Sequence, residues 1–214
     1  MKPLLVPLET GKFYHIFNRG NNGDNLFYKN DNYLFFLRKL DEYLSEYIEL
    51  YAYCLLPNHF HLLVRIKEVD TNPKNAWHFQ NAKRLEINRV KDINNPEDIV
   101  CTAFHRFFTS YAKAINKQQN RHGSLFENPF KRKVIENTSY LANLVFYIHS
   151  NPQMHGICND FRQYAWSSYD RILLGKPSKL KKEEVIKWFT DKSNYLSFHA
   201  QKIELEKIKE LIME

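Results

Sequence analysis

Two histidines at alternate positions, His59 and His61, are the residues of this 214-residue chain best placed to do chemistry. They sit within Pro57-Asn58-His59-Phe60-His61-Leu62-Leu63-Val64, which reads as a strand. Side chains alternate along a strand, so 59, 61, 63 and 65 share one face while Phe60, Leu62, Val64 and Ile66 share the other. The second face can serve as core. The first can offer two neutral imidazoles, with Arg65 further along, to a metal ion and an anion. The chain has nine histidines, so an apolar strand could carry two by accident; a second element strengthens the case. Over residues 139–150 a helix is expected in which Leu141, Leu144, Val145 and Ile148 form an apolar stripe. Tyr140, Asn143, Tyr147 and Asn151 form another. Tyr147 and Asn151 are four apart, which puts a phenol and an amide oxygen one turn from each other on a face not needed for the core. Taken without the histidines, that pair would be no more than a half-buried tyrosine beside a helix-ending asparagine.

The elements that must position these groups can be read outward from them. Phe13 to Asn18 is an aromatic, β-prone run that stops at Arg19-Gly20-Asn21-Asn22-Gly23, a turn signal. Leu34, Leu37, Leu40 and Leu44 recur at helical spacing from Asp31, the expected N-cap, to about Tyr47. Ile48 to Leu56 and the His strand then form a hairpin. Residues 68–99 are polar, with Pro73 and Pro96, and read as a long excursion with one helix near Ala82 to Val90. Phe104, Phe107, Phe108, Tyr111 and Ile115 mark a second core helix, and Ser124 to Ile135 suits an edge strand with Pro129 limiting its pairing. The order strand, helix, strand, strand, helix, strand is the ferredoxin-like arrangement, an α+β fold with an antiparallel sheet and two helices on one face. The tyrosine helix is an addition to it, capped by Asn137 or Thr138 and expected to end at Asn151 because Pro152 disfavours helix there. Phe161–Leu174 follows, and after it Glu183–Phe189 and Phe198–Met213 as two amphipathic helices. The expected units are a domain over 1–169 and a helical appendage over 170–214.

Composition narrows the function classes. The net charge is +7, from 31 Lys and Arg against 24 Asp and Glu, which favours a polyanionic partner. Cys54, Cys101 and Cys158 are odd in number and widely spaced, which argues against a disulfide framework or a thiolate zinc site and favours a reduced, cytoplasmic setting. No stretch approaches the ~20 apolar residues of a membrane span, and the start is too Pro-broken for a signal peptide.

With these residues in order, the chain resembles the single-tyrosine HUH endonucleases, and among them the REP-associated tyrosine transposases. The resemblance spans roughly 13–169. It is carried by Tyr14-His15-Ile16-Phe17-Asn18-Arg19-Gly20, by Leu56 through Val64, and by Gly123-Ser124-Leu125-Phe126. It continues in Tyr147-Ile148-His149-Ser150-Asn151-Pro152 and Trp166-Ser167-Ser168-Tyr169. It implies that His59, His61 and Asn151 hold one divalent metal, Mg²⁺ or Mn²⁺, and that Tyr147 is the nucleophile. Some relatives use Gln at the place of Asn151, and residues 68–99 are longer than in compact relatives. Mixed nitrogen and oxygen ligation suits Mn²⁺ better than Mg²⁺.

The reaction so implied is cleavage and rejoining of single-stranded DNA next to a hairpin through a 5′-phosphotyrosine with a free 3′-hydroxyl. The linkage stores the bond energy, so no ATP is needed. Arg19, Lys131, Arg132 and Lys133 are the expected phosphate contacts, and Trp77, Trp166 or Tyr169 could stack on bases unless they belong to the core. A homodimer is left open. His15 reads as a packed residue and His149 as structural or DNA-facing. The alternatives are an inactive or domesticated hairpin-DNA-binding protein, and an unrelated metallohydrolase whose activity would survive Tyr147→Phe.

Overall fold

The computed structural model describes residues 6–69 and 95–201. Trp77 and the helix expected near 82–90 lie outside them, as does the last part of the helix expected over 198–213.

Four strands, β1 (Phe13–Arg19), β2 (Ile48–Leu56), β3 (His59–Ile66) and β4 (Lys131–Ile135), form one sheet in the order β2-β3-β1-β4. Every neighbouring pair is antiparallel. Among the described residues there are six α-helices: α1 (Asn30–Leu44), α2 (Pro96–Gln118), α3 (Leu141–Met154), α4 (Tyr169–Leu173), α5 (Lys182–Trp188) and α6 (Lys192–His199). None is long and apolar enough to cross a membrane.

Helices cover the sheet on both faces, which explains why the central strands are almost uniformly apolar rather than alternating. Phe60 on β3 lies 5.1 Å, ring to ring, from Phe36 of α1 and 5.8 Å from Phe108 of α2. The face of Phe60, Leu62 and Val64 is thus sealed by the α1–α2 pair. The opposite face carries His59 and His61 and is roofed over β2 and β3 by α3. Gly20 ends β1 where the chain doubles back: a Cβ there would fall 1.8 Å from the Asp24 carbonyl oxygen. Its N–H donates to the Asn58 carbonyl at 2.7 Å, so this turn is pinned to the residue before His59.

Several boundaries differ from the sequence expectation for local reasons. Asp31 does not cap α1; the Oδ1 of Asn32 accepts from the N–H groups of Tyr28 and Lys29 instead, at 3.0 and 3.1 Å. α2 begins at Pro96, where a missing N–H costs nothing, with the Asn95 side chain accepting from Glu97 N at 3.0 Å. Ladder pairing of the last strand is confined to 131–135, and only an isolated bridge from Phe126 to Gly20 precedes it. α3 runs through Pro152 to Met154, with His155 N donating to Asn151 O at 2.9 Å. Residues 144–152 of α3 are all buried, and tertiary packing of that extent outweighs the local bias against helix before a proline.

Residues 161–174 hold a single 3-10 turn, Phe161–Gln163, and the short α4. Ser167 forms an isolated antiparallel bridge to Cys54 on the outer edge of β2, with Leu55 N donating to Trp166 O and Ser168 N to Tyr53 O, both at 2.9 Å. An open sheet edge needs covering, and this segment covers it. α4, α5 and α6 then pack back, placing Tyr169, Ile172, Val185 and Tyr195 in the same buried cluster as α3 and β2. Phe198 closes α6 rather than opening a helix.

Candidate active site

Strand register sets out the site in rows. Cys54, His61, Phe17 and Lys131 lie side by side across β2, β3, β1 and β4. Leu56, His59 and Arg19 form the row on one side, and Ala52, Leu63, His15 and Lys133 the row on the other. The imidazoles of His59 and His61 are 5.2 Å apart between centroids. Above them, α3 brings Tyr147 to 5.7 Å from the His61 ring and His155 to 4.7 Å from the His59 ring. Tyr147, Asn151 and His155, the residue that caps the C-terminus of α3, are spaced by four and follow one stripe, and Asn151 sits between two anchors that touch the two histidines.

The stripe expected to be free of the core is so only at its start: Tyr140 is exposed and Asn143 half-buried, whereas Tyr147 is 2% exposed and Asn151 0%. α3 lies between the sheet on one side and α6 on the other, so both of its stripes are covered.

Burial keeps the imidazoles neutral. It lowers His59 to about 4, helped by the nearby His155 and Arg19. It drives His61 well below its ordinary value, helped by His15, His59 and His155. Neutral rings are what a metal requires. The Oδ1 of Asn58 lies 2.7 Å from His59 Nδ1, and when it accepts, the proton is fixed on Nδ1 and Nε2 keeps its lone pair. Asn151 donates through Nδ2 to the Tyr147 carbonyl at 2.8 Å, while its Oδ1 is buried with no hydrogen-bond partner. Two neutral imidazoles and an orphaned amide oxygen are a chemically apt donor set for Mn²⁺ or Mg²⁺. Among the described residues no group of three His, Cys, Asp or Glu side chains could hold a metal ion.

Alternation splits the basic run of β4. Lys131 and Lys133 lie on the histidine face, Lys131 with its Nζ 5.7 Å from the Phe17 ring centre. Arg132 pairs with Ile16 and lies on the other face, over Phe130 and with a guanidinium nitrogen 3.6 Å from Cys101 Sγ. Arg19 is exposed at the edge of the site and ion-paired with Glu127. Arg65, at the far end of β3, donates to the Gly11 carbonyl. Trp166 is stacked on Tyr33 at 4.4 Å and Tyr169 on Tyr195 at 5.6 Å, so both rings are engaged within the protein.

The Arg132 contact gives a checkable consequence. Burial works to raise the Cys101 thiol, but the bond with His105 and the Arg132 guanidinium outweigh it and hold it low. Burial raises Cys158, and Cys54 is fully buried. Iodoacetamide at neutral pH is therefore expected to label Cys101 first, because the thiolate is the reactive form. Peptide mass spectrometry in which Cys158 labels as fast would contradict this electrostatic account.

Two residues and one contact escaped the sequence reading. His15 is packed, as expected, but also bonds His61, and His155 lies beyond the proline at which the helix was expected to stop. His199 joins His149, which is buried and faces no solvent. Its Nδ1 lies 3.0 Å from His199 Nε2, and its Nε2 lies 2.7 Å from Ser168 Oγ. His199 Nδ1 must donate to the Tyr195 carbonyl, 2.8 Å away, and Ser168 Oγ already accepts from Tyr53 N at 2.9 Å. Those fixed ends orient every proton between them: serine donates to His149, and His149 donates to His199. This closed network ties the tyrosine helix to α6 and to the edge of β2.

Fold and site together define an α+β protein whose four-stranded antiparallel sheet sets an imidazole pair beneath a helix-borne tyrosine. No protein-family model matches the chain. In sequence it is similar to a curated protein of Haemophilus influenzae named "Putative REP-associated tyrosine transposase", at 27% identity over 124 residues. That match covers 58% of this chain and 60% of the relative's length. In fold it is similar to a solved REP-associated tyrosine transposase bound to a REP hairpin, with a TM-score of 0.55 at 15% identity. The superposition covers 81% of this chain and 85% of that one.

Proposed function

We propose that this chain is a metal-dependent tyrosine endonuclease and strand transferase that nicks and rejoins single-stranded DNA beside hairpins. The observation that carries the reading is the α3 stripe of Tyr147, Asn151 and His155 lying over His61 and His59. The similarity to REP-associated tyrosine transposases, one of them solved with a hairpin, supports the choice of substrate. The order β2-β3-β1-β4 with α1 and α2 on one face supports reading the sheet as ferredoxin-like. In this reading the 170–214 appendage braces α3 through its described part, which includes α6.

In the reaction, the Tyr147 phenol loses its proton and its oxygen attacks phosphorus, forming an O–P bond as the bond to the 3′ oxygen breaks. The 3′ oxygen takes up a proton and leaves as a hydroxyl. A divalent ion held by His59, His61 and Asn151 would supply charge withdrawal from a phosphate oxygen. Lys131, Lys133 and Arg19 hold the flanking phosphates from the histidine face, while Arg132 supports β4 from behind. The three unpaired cysteines suit a reduced, cytoplasmic setting.

The test incubates the protein with labelled single-stranded hairpin oligonucleotides and Mn²⁺ or Mg²⁺, followed by a denaturing protein gel. A labelled covalent adduct is expected in wild type and none in Tyr147→Phe. Binding without an adduct across many hairpins would leave the hairpin-binding protein as the better reading. Metal-dependent cleavage persisting in Tyr147→Phe would remove the tyrosine from the chemistry.

A further inference from the structure

The ligand His61 does not stand alone. His15 Nε2 lies 3.0 Å from His61 Nδ1, and both residues are 1% exposed. The two rings stack at 5.2 Å with 21° between their planes. His15 is also stacked on Phe17 at 4.7 Å and meets the Tyr147 ring edge-on at 5.9 Å, so it is wedged on three sides. We propose that His15 is a positioning residue which orients His61 and fixes its tautomer so that Nε2 presents a lone pair to the metal. This rests on the assignment of His61 as a ligand.

A bond between two neutral imidazoles can run in either direction, and only one direction suits ligation. If His61 Nδ1 donates to His15 Nε2, the lone pair of His61 is on Nε2. If His15 donates, His61 carries its proton on Nε2 and is closed to a metal. The useful direction puts the second proton of His15 on Nδ1, which is buried with no hydrogen-bond partner. A packing role alone would be served better by an apolar ring, because an orphaned buried donor is a cost that phenylalanine does not carry. A polar group at 15 is therefore explained by what it does to His61. Partners that orient metal-ligating histidines in this way change metal affinity by about 10–100-fold when removed.

The experiment titrates Mn²⁺ into wild type, His15→Phe, His15→Gln and His61→Ala, reading free Mn²⁺ by electron paramagnetic resonance and folding by thermal melts. His15→Phe, which exchanges the orphaned His15 Nδ1 for an unaccepted His61 Nδ1–H, is expected to stay folded and to bind Mn²⁺ about 10–100-fold more weakly. His15→Gln, whose Oε1 can accept from His61 Nδ1, recovers most of the affinity. Unchanged binding in His15→Phe beside lost binding in His61→Ala overturns the role of His15 and leaves the site intact. A folded His15→Gln no better than His15→Phe also overturns it. Wild type that binds no Mn²⁺ overturns the ligand assignment and the role together. Should His15→Phe not fold, ¹⁵N-histidine NMR of wild type with Mg²⁺ decides: Nδ1-protonated His61 coupled to His15 Nε2 is expected, and Nε2-protonated His61 in the loaded protein overturns the proposal.

Discussion

Acidification from pH 7 to pH 5 is expected to unfold this protein. His15, His61, His149 and His199 are each at most 1% exposed and held neutral. Burial lowers His15 to about 3, with Lys133 adding to it. It lowers His199 to about 4 against the opposing bond to the Tyr195 carbonyl, and drives His61 and His149 well below 6.5. In the unfolded chain each takes up a proton near pH 6.5, while the folded protein refuses it until far lower. Between those limits the unfolded state binds more protons, so stability falls as pH falls. Each group contributes roughly 1.4 kcal/mol per pH unit below 6.5. Four acting together amount to about 8 kcal/mol near pH 5, within the ~5–15 kcal/mol of a typical domain. His105, raised by its bond to Cys101, works the other way but is a single group. Melting followed by circular dichroism at half-unit steps should show the midpoint temperature falling steeply below pH 6.5. A flat profile down to pH 4.5 would mean that the four rings are not held neutral.

The sequence reveals most where a short period suffices. A strand's period of two puts His59 and His61 together and seals Phe60 on the other side, and the helix spacing of four joins Tyr147 to Asn151. The same alternation divides Lys131 and Lys133 from Arg132, although a run of three cations reads as one patch until the strand is confined to 131–135. What depends on long-range pairing is not visible locally. His15 bonds His61 only because β1 lies between β3 and β4 in that register, and His149 meets His199 only because α6 folds back over α3. Pro152 misled for a different reason. It weakens helix locally, yet tertiary burial carried α3 past it and brought His155 beside His59. Ser167 likewise bridges to Cys54 across the open edge of β2, a long-range pairing that no local pattern announces.

Replacing Asn151 with leucine is expected to make the protein more stable and nearly inactive. Asn151 is fully buried, and its Oδ1 has no hydrogen-bond partner. An orphaned buried acceptor costs about 1–3 kcal/mol, and leucine, of similar shape, removes it. Leucine also favours the helix interior over asparagine by a few tenths of a kcal/mol. The lost bond from Nδ2 to the Tyr147 carbonyl offsets part of the gain, because that carbonyl keeps its helical partner and accepts from Ser150 Oγ at 3.1 Å. The net expectation is about 1 kcal/mol of added stability, read as a raised midpoint in denaturant. Activity should move the opposite way. If the amide oxygen is the third donor, its loss removes a contact that stabilises the transition state, and adduct formation should fall on the order of 10²-fold. Few substitutions gain stability and lose activity at once, and the combination separates a ligand from a packing residue. A less stable Asn151→Leu with unchanged cleavage would show that the oxygen has a structural partner and no part in the chemistry. A more stable variant with full activity would leave His59 and His61 without a third protein ligand at this position.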